Sequence, residues 1–174
     1  FQFARVTIDV EEMGRGVNHE RTELERARQA VRAELEHCAE AGSRVAREIA
    51  EAHLGLIDDP DLIASAKQLI ETGKSAGYAW RSALRGAIEA LRALNDSRMA
   101  ERADDLLDLE SRVLLALGGG QGPASPDIPT ESVLIAHELL PSQLVALDGS
   151  KLAGICLAAG GATSHVAIIA AAMA

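Results

Sequence analysis

The chain has 174 residues, 48% apolar and 25% charged, and carries a formal net charge of −9. Such a balance suits a soluble globular protein of one domain or two small ones. It argues against a nucleic-acid binder, because phosphate backbones are held by a basic face, and it is compatible with a basic protein partner. Aromatic residues make up only 2%, so the core must be built from Leu, Ile, Val and Ala, and Leu and Ala favour helix packing.

The two cysteines, Cys38 and Cys156, are far apart, and neither lies at zinc spacing from another ligand. A reduced, cytoplasmic setting fits them. No apolar run reaches the ~18 residues of a membrane span, and no signal peptide is visible, so no membrane insertion is expected. The chain opens on Phe1 rather than Met, and a trimmed piece of a longer protein is expected.

Residues 1–10, FQFARVTIDV, read as a strand, with Val6, Ile8 and Val10 alternating with Thr7 and Asp9. From about Asn18 to Leu117 the period is helical. Leu24, Ala27, Val31, Leu35 and Cys38 share one face of a first helix, which breaks at Gly42-Ser43. Val45, Ile49, His53, Leu56 and Ile57 form a second stripe. Asp58-Asp59-Pro60-Asp61 is a stop-and-start signal, since Pro is tolerated in a first helical turn and Asp suits its cap. A short helix over 61–72 follows, ended by Thr72-Gly73-Lys74-Ser75. Ser75 can cap the next helix, which runs to about Leu94, and Asn95-Asp96-Ser97 punctuates again. Met99, Ala103, Leu106, Leu107, Val113, Leu114 and Leu117 define a last long helix. Four long or medium helices and a short one, joined by short connections, imply antiparallel hairpins.

Residues 118–129, GGGQGPASPDIP, form a Gly/Pro linker without periodicity. Beyond it the period changes. Val133 to Ala136 reads as a short buried strand, Pro141 to Leu147 as a short helix, Leu152 to Leu157 as a strand and His165 to Ala174 as a helix. Strand–helix–strand–helix implies parallel pairing. The simplest assembly places strand 1–10 in the same sheet, with the helical block inserted between strands.

The last helix opens on GGATSHVAIIA, residues 160–170. The first N–H groups of a helix have no internal partner and its dipole makes that end positive, so an anion is favoured there. Gly160 and Gly161 let the backbone come close, and Thr163 and Ser164 add hydroxyl donors. No Lys follows at P-loop spacing. A neutral imidazole is a good nucleophile near neutral pH, so His165 in that cradle could attack a phosphoryl group and hold it as a phosphoramidate. On spacing alone, a histidine that merely caps the helix is the favoured reading, and the phosphoryl carrier stays open beside it.

Four stretches then resemble one family, in order. They are AHLGLIDDPDL (52–62), ERADDLLDLESRVL (101–114), ELLPSQLVALD (138–148) and GGATSH (160–165). The chain resembles the N-terminal half of enzyme I, the phosphoenolpyruvate–protein phosphotransferase of the sugar phosphotransferase system, within the phosphoenolpyruvate-utilising enzymes. The resemblance implies an α+β/α fold, a helical-hairpin bundle inserted into a small, partial, swivelling α/β phosphohistidine domain. The α/β domain would take residues 1–17 and 118–174, and the insert residues 18–117. It implies His165 as the phosphoryl carrier, between phosphoenolpyruvate on a C-terminal barrel absent from this chain and a histidine of the phosphocarrier HPr. It places the HPr-docking face on His53, Leu56, Asp61, Leu62 and Arg112. No metal or cofactor is implied for these residues, and magnesium belongs with the absent barrel.

The chain departs from the family at four positions. Ala162 and Ala171 stand where enzyme I usually carries Arg, Leu107 replaces an Arg of the fourth-helix motif, and Leu144 aligns with a Thr. Two rival readings remain: the swivelling domain of a pyruvate–phosphate dikinase-like enzyme, and a non-catalytic enzyme I-like module that binds a partner through its helices.

The remaining charged residues read as scenery. His19 and His37 are expected on helix surfaces and His137 at a strand end. Glu11-Glu12 and the Glu/Arg pairs of the first helix are expected on a solvated face. Asp104, Asp105 and Asp108 are expected as surface acids rather than a metal cluster, and Met13 and Met99 as core filler.

Overall fold

The computed structural model of the chain describes residues 8–41, 44–119, 128–136, 139 and 147–158. One compact unit runs Ile8–Gly122, and the other takes Phe1–Thr7 and Pro123–Ala174.

The first unit is helical: α1 (Val17–Ala41), α2 (Arg44–Ile57), α3 (Pro60–Glu71), α4 (Ala76–Ala93) and α5 (Ser97–Leu117). The boundaries follow from caps. Asp59 accepts the Asp61 and Leu62 N–H groups, with Pro60 at the first helical position. Ser75 accepts the Tyr78 N–H, and Asp96 accepts those of Arg98 and Met99. The break expected at Gly42-Ser43 falls between α1 and α2, outside the described residues.

α5 runs antiparallel to both α4 and α1, as side-chain contacts along the two seams record. Arg85 meets Glu110 and Arg92 meets Asp104 between α4 and α5. Arg26 donates to the Ala116 carbonyl and Arg112 to Glu34 between α1 and α5. The core collects Leu24, Ala27, Val31 and Leu35 of α1, Trp80, Leu84 and Ile88 of α4, and Ala103, Leu106, Leu109 and Val113 of α5, all buried. Trp80 is the largest side chain among them with no exposed surface. On α2, Ile49, His53 and Ile57 are buried and Leu56 is half-buried; the side chain of Val45 is outside the described ones.

Ile8, Asp9 and Val10 are not in a strand, contrary to expectation for the end of 1–10; residues 1–7 lie outside the described ones. The physical reason is that other partners take the backbone. Arg81 donates to the Ile8 carbonyl at 2.6 Å, and the Val10 N–H donates to Asp9. The following residues are strapped to the α3–α4 loop. Met13 and Lys74 form an antiparallel bridge, the Gly14 N–H donates to the Gly73 carbonyl, and the Ser75 N–H donates to that of Glu12. Residues 8–16 therefore belong with the helices. Met13, expected in the core, is 63% exposed, because the bridge is made by its backbone and leaves the side chain outside.

In the second unit β1 (Ser132–Ala136) pairs parallel with β2 (Leu152–Leu157), with Val133 opposite Gly154 and Ala136 opposite Leu157. A single 3-10 turn, Gly149–Lys151, capped by Asp148, leads into β2. β1 is not buried throughout as its apolar run suggested. Leu134 and Ala136 point inward and Val133 and Ile135 outward, the two-residue alternation of a strand. Ile128, assigned to the linker, is buried, as are Leu139 and Leu147. The helices expected from Pro141 and from His165, and His137, lie outside the described residues, apart from Leu147, which sits in a bend.

Candidate partner-docking site

In sequence, β2 leads to the glycine segment. The Ala158 N–H donates to the Ala136 carbonyl at 3.0 Å, one step past the end of the ladder. Gly160, Gly161, Ala162, Thr163, Ser164, His165 and Ala171 follow, and Leu144 precedes; all lie outside the described residues.

The residues assigned to docking fall into two groups. Leu56, Asp61 and Leu62 surround the α2–α3 corner. The connection has only Asp58 and Asp59, and the Asp59 N–H donates to the Leu56 carbonyl at 3.2 Å. The Asp59 carboxylate then accepts the Asp61 N–H at 2.9 Å and the Leu62 N–H at 3.2 Å. This satisfies donors that the first turn of a helix otherwise leaves open. Asp61 is exposed, Leu56 half-buried and Leu62 buried. Asp61 and Leu62 also edge an open groove between α3 and α4 that Gln68, Ala83 and Gly86 continue.

His53 and Arg112 form the second group, inside the α2–α5 seam. His53 has no exposed surface, so it makes no direct contact with a partner from this position. Its Nε2 lies 3.3 Å from Asp105 Oδ1 and its Nδ1 lies 3.8 Å from Asp108 Oδ2. Arg112 Nε lies 3.7 Å from the same Asp108 oxygen, and its Nη1 donates to Glu34 at 3.1 Å. Asp108 is 1% exposed and is thus not the surface acid expected from the sequence. Burial without partners would be costly for a carboxylate, and here it sits between an imidazole and a guanidinium. His53 and Leu56, three residues apart on α2, join the two groups on neighbouring positions of one helix. Among the described residues no group of three or more His, Cys, Asp or Glu is placed to hold a metal ion. No described helix is long and apolar enough to cross a membrane.

Sequence reasoning missed Arg28. The charged residues of α1 are expected on a solvated face, yet Arg28 is 5% exposed. Its place between Leu24 and Val31, four and three residues away, puts it inside the apolar stripe, and that spacing was the available signal. Glu20, at the head of the same stripe, is buried too. Around Arg28, the Gln29 amide and then Arg28 itself hold the Glu25 carboxyl below its ordinary range. Glu36 and then Asp58 hold the Arg32 guanidinium above its own. His19 and His37 are exposed, as expected.

The chain matches the family model described as PEP-utilising enzyme, N-terminal, over residues 3–102, and the one described as PEP-utilising enzyme, mobile domain, over residues 128–174. It is 39% identical over 126 residues to a multiphosphoryl transfer protein of Rhodobacter capsulatus, covering 72% of this chain and 15% of that one. It is 35% identical over 151 residues to a phosphoenolpyruvate-protein phosphotransferase of Haloferax volcanii, covering 84% and 26% respectively. The chain thus spans about a quarter or less of the length of these curated relatives. A solution structure of an Enzyme I protein aligns with a TM-score of 0.73 at 32% identity, covering 98% of this chain and 71% of that one. With the helical unit, the parallel strands and both halves of the sequence matched, the chain belongs to the family of PEP-utilising enzymes.

Proposed function

We propose that this chain is the phosphoryl-carrying N-terminal part of a phosphoenolpyruvate–protein phosphotransferase. His165 accepts the phosphoryl group and passes it to a histidine of an HPr-like carrier docked on the helices. One observation carries the reading: GGATSH follows a parallel strand in a chain whose helical unit presents Leu56, Asp61 and Leu62 at one corner. In this reading an imidazole nitrogen of His165 attacks phosphorus, and the bond from phosphorus to the donor breaks. The backbone N–H groups and hydroxyls from Gly160 to Ser164 take up the negative oxygens. The net charge of −9 favours encounter with a basic carrier face. Phosphoenolpyruvate and magnesium belong to a C-terminal barrel, and a cytoplasmic setting goes with the reading.

The test runs the transfer backwards. HPr already phosphorylated on histidine is mixed with the chain, and acid-labile phosphate is followed. Label on the wild type that is lost in His165→Ala supports the reading. No label on a folded chain that still binds HPr would leave the non-catalytic docking module, which Ala162 and Ala171 favour by removing arginines that could grip phosphate.

A further inference from the structure

The α2–α3 corner receives a buried cation from another helix. Arg28, in the middle of α1, donates from Nε and Nη2 to the Ile57 carbonyl at 3.2 and 2.9 Å, and from Nη2 to Asp58 Oδ1 at 3.0 Å. Its Nη1 donates to Glu25 at 2.8 Å. One turn further along α1, Arg32 donates to the other Asp58 oxygen.

Ile57 is the last residue of α2, so its carbonyl is one that the helix leaves unbonded. The usual remedies are absent. No glycine follows, the connection to α3 has only two residues, and the last turn of α2 carries no basic side chain. α1 supplies the missing donors and the positive charge that suits a helix C-terminus. An apolar side chain would fill the same space with less desolvation. What the planar fork adds is direction, because it bonds a main-chain carbonyl and a side-chain carboxylate at once.

We propose that Arg28 is a positioning residue for partner docking. It fixes the end of α2 and the turn into α3, and through them the pose of Leu56, Asp61 and Leu62. The inference rests on the docking reading above. Arg28 itself is buried and touches no partner, so its effect is on how the docking residues are presented.

The experiment uses the full-length protein and an HPr-like carrier. Arg28→Met keeps the stem and removes the fork. It is expected to raise Kd and KM for the carrier about tenfold, the scale of losing hydrogen bonds to a charged group. The rate at saturating carrier stays within about twofold. Amide exchange quickens over Ile57–Leu62 and not in α4 or α5. Arg28→Lys restores part of the affinity. An unchanged Kd in folded Arg28→Met overturns the proposal, and so does a loss of saturating rate equal to the loss of affinity. If Arg28→Met does not fold, Arg28→Lys decides, and an unchanged Kd there overturns it. Asp61→Arg separates the two levels. If it leaves carrier affinity intact, the docking reading itself fails. If it weakens binding while Arg28→Met does not, only the positioning role fails.

Discussion

Removing the carboxylate of Glu20 tests how the helical unit is held at its entrance. Glu20 is buried on α1 and serves two segments at once. Its Oε1 accepts the Arg15 N–H and its Oε2 accepts the Ala76 N–H, each at 2.7 Å. Ala76 is the first residue of α4, where no intrahelical acceptor exists. A Cβ on Gly14 would come within 2.7 Å of Glu20 Cγ, so the glycine is what lets the chain pass this close. Glu20→Ala removes both charge-assisted acceptors and strands two donors. At about 1.5 kcal/mol each, the loss is about 3 kcal/mol. For a unit of this size that lowers Tm by roughly 10 °C. Glu20→Gln keeps the volume and one acceptor oxygen and should lose about half as much. Urea and thermal unfolding followed by circular dichroism read the change, and amide exchange at Ala76 locates it. A loss below about 0.5 kcal/mol in Glu20→Ala would refute the reasoning, since ordinary surface substitutions reach that level.

Four further outcomes are expected. Gly77→Ala should destabilise by about 1–3 kcal/mol, because its Cβ would lie 2.9 Å from Val10 Cγ1 and 3.4 Å from Leu114 Cδ2; adding Val10→Ala should recover part of the loss in a double-mutant cycle. Trp80→Ala should cost about 3–5 kcal/mol in urea unfolding, the range for emptying a large buried aromatic site. Asp59→Ala should cost about 1 kcal/mol by loss of the α3 cap, with faster amide exchange at Asp61 and Leu62. The Ser150 hydroxyl and N–H hold the Asp148 carboxyl below its ordinary range. Its stabilisation is therefore present above the unfolded-state pKa and lost as pH falls through the lower folded-state one. Ser150→Ala should move the Asp148 midpoint upward in an NMR titration, and an unmoved midpoint contradicts the assigned cause.

Local signals made the helices legible. Asp58-Asp59-Pro60, Ser75 and Asp96 act within a few residues of themselves, so the boundaries they mark need no knowledge of the rest of the fold. The apolar stripe of α1 was legible for the same reason. What was not legible is polar burial. Glu20 and Arg28 are marked at least by their place in the apolar stripe of α1, but Asp108 and Glu110 look like any charged helix residue, and their interior places depend on partners 25 or more residues away, His53 for Asp108 and Arg85 for Glu110. Ile8 and Val10 alternate like a strand, but the strap to the α3–α4 loop and Arg81 claim their surroundings. The docking assignment was legible as a sequence resemblance and uneven as geometry. Asp61 reaches the surface, Leu56 partly does, and His53 lies behind Asp105 and Asp108. GGATSH was the stretch of the sequence with the plainest family resemblance, and its residues lie outside the described ones.

Phosphorus NMR of the protein after reaction with histidine-phosphorylated HPr tests the central claim most directly. The account predicts one phosphoramidate resonance on this chain, absent in His165→Ala and retained when the exposed His19 or His37 is replaced by Ala. A resonance that survives His165→Ala, or that disappears with His19 or His37, would contradict it.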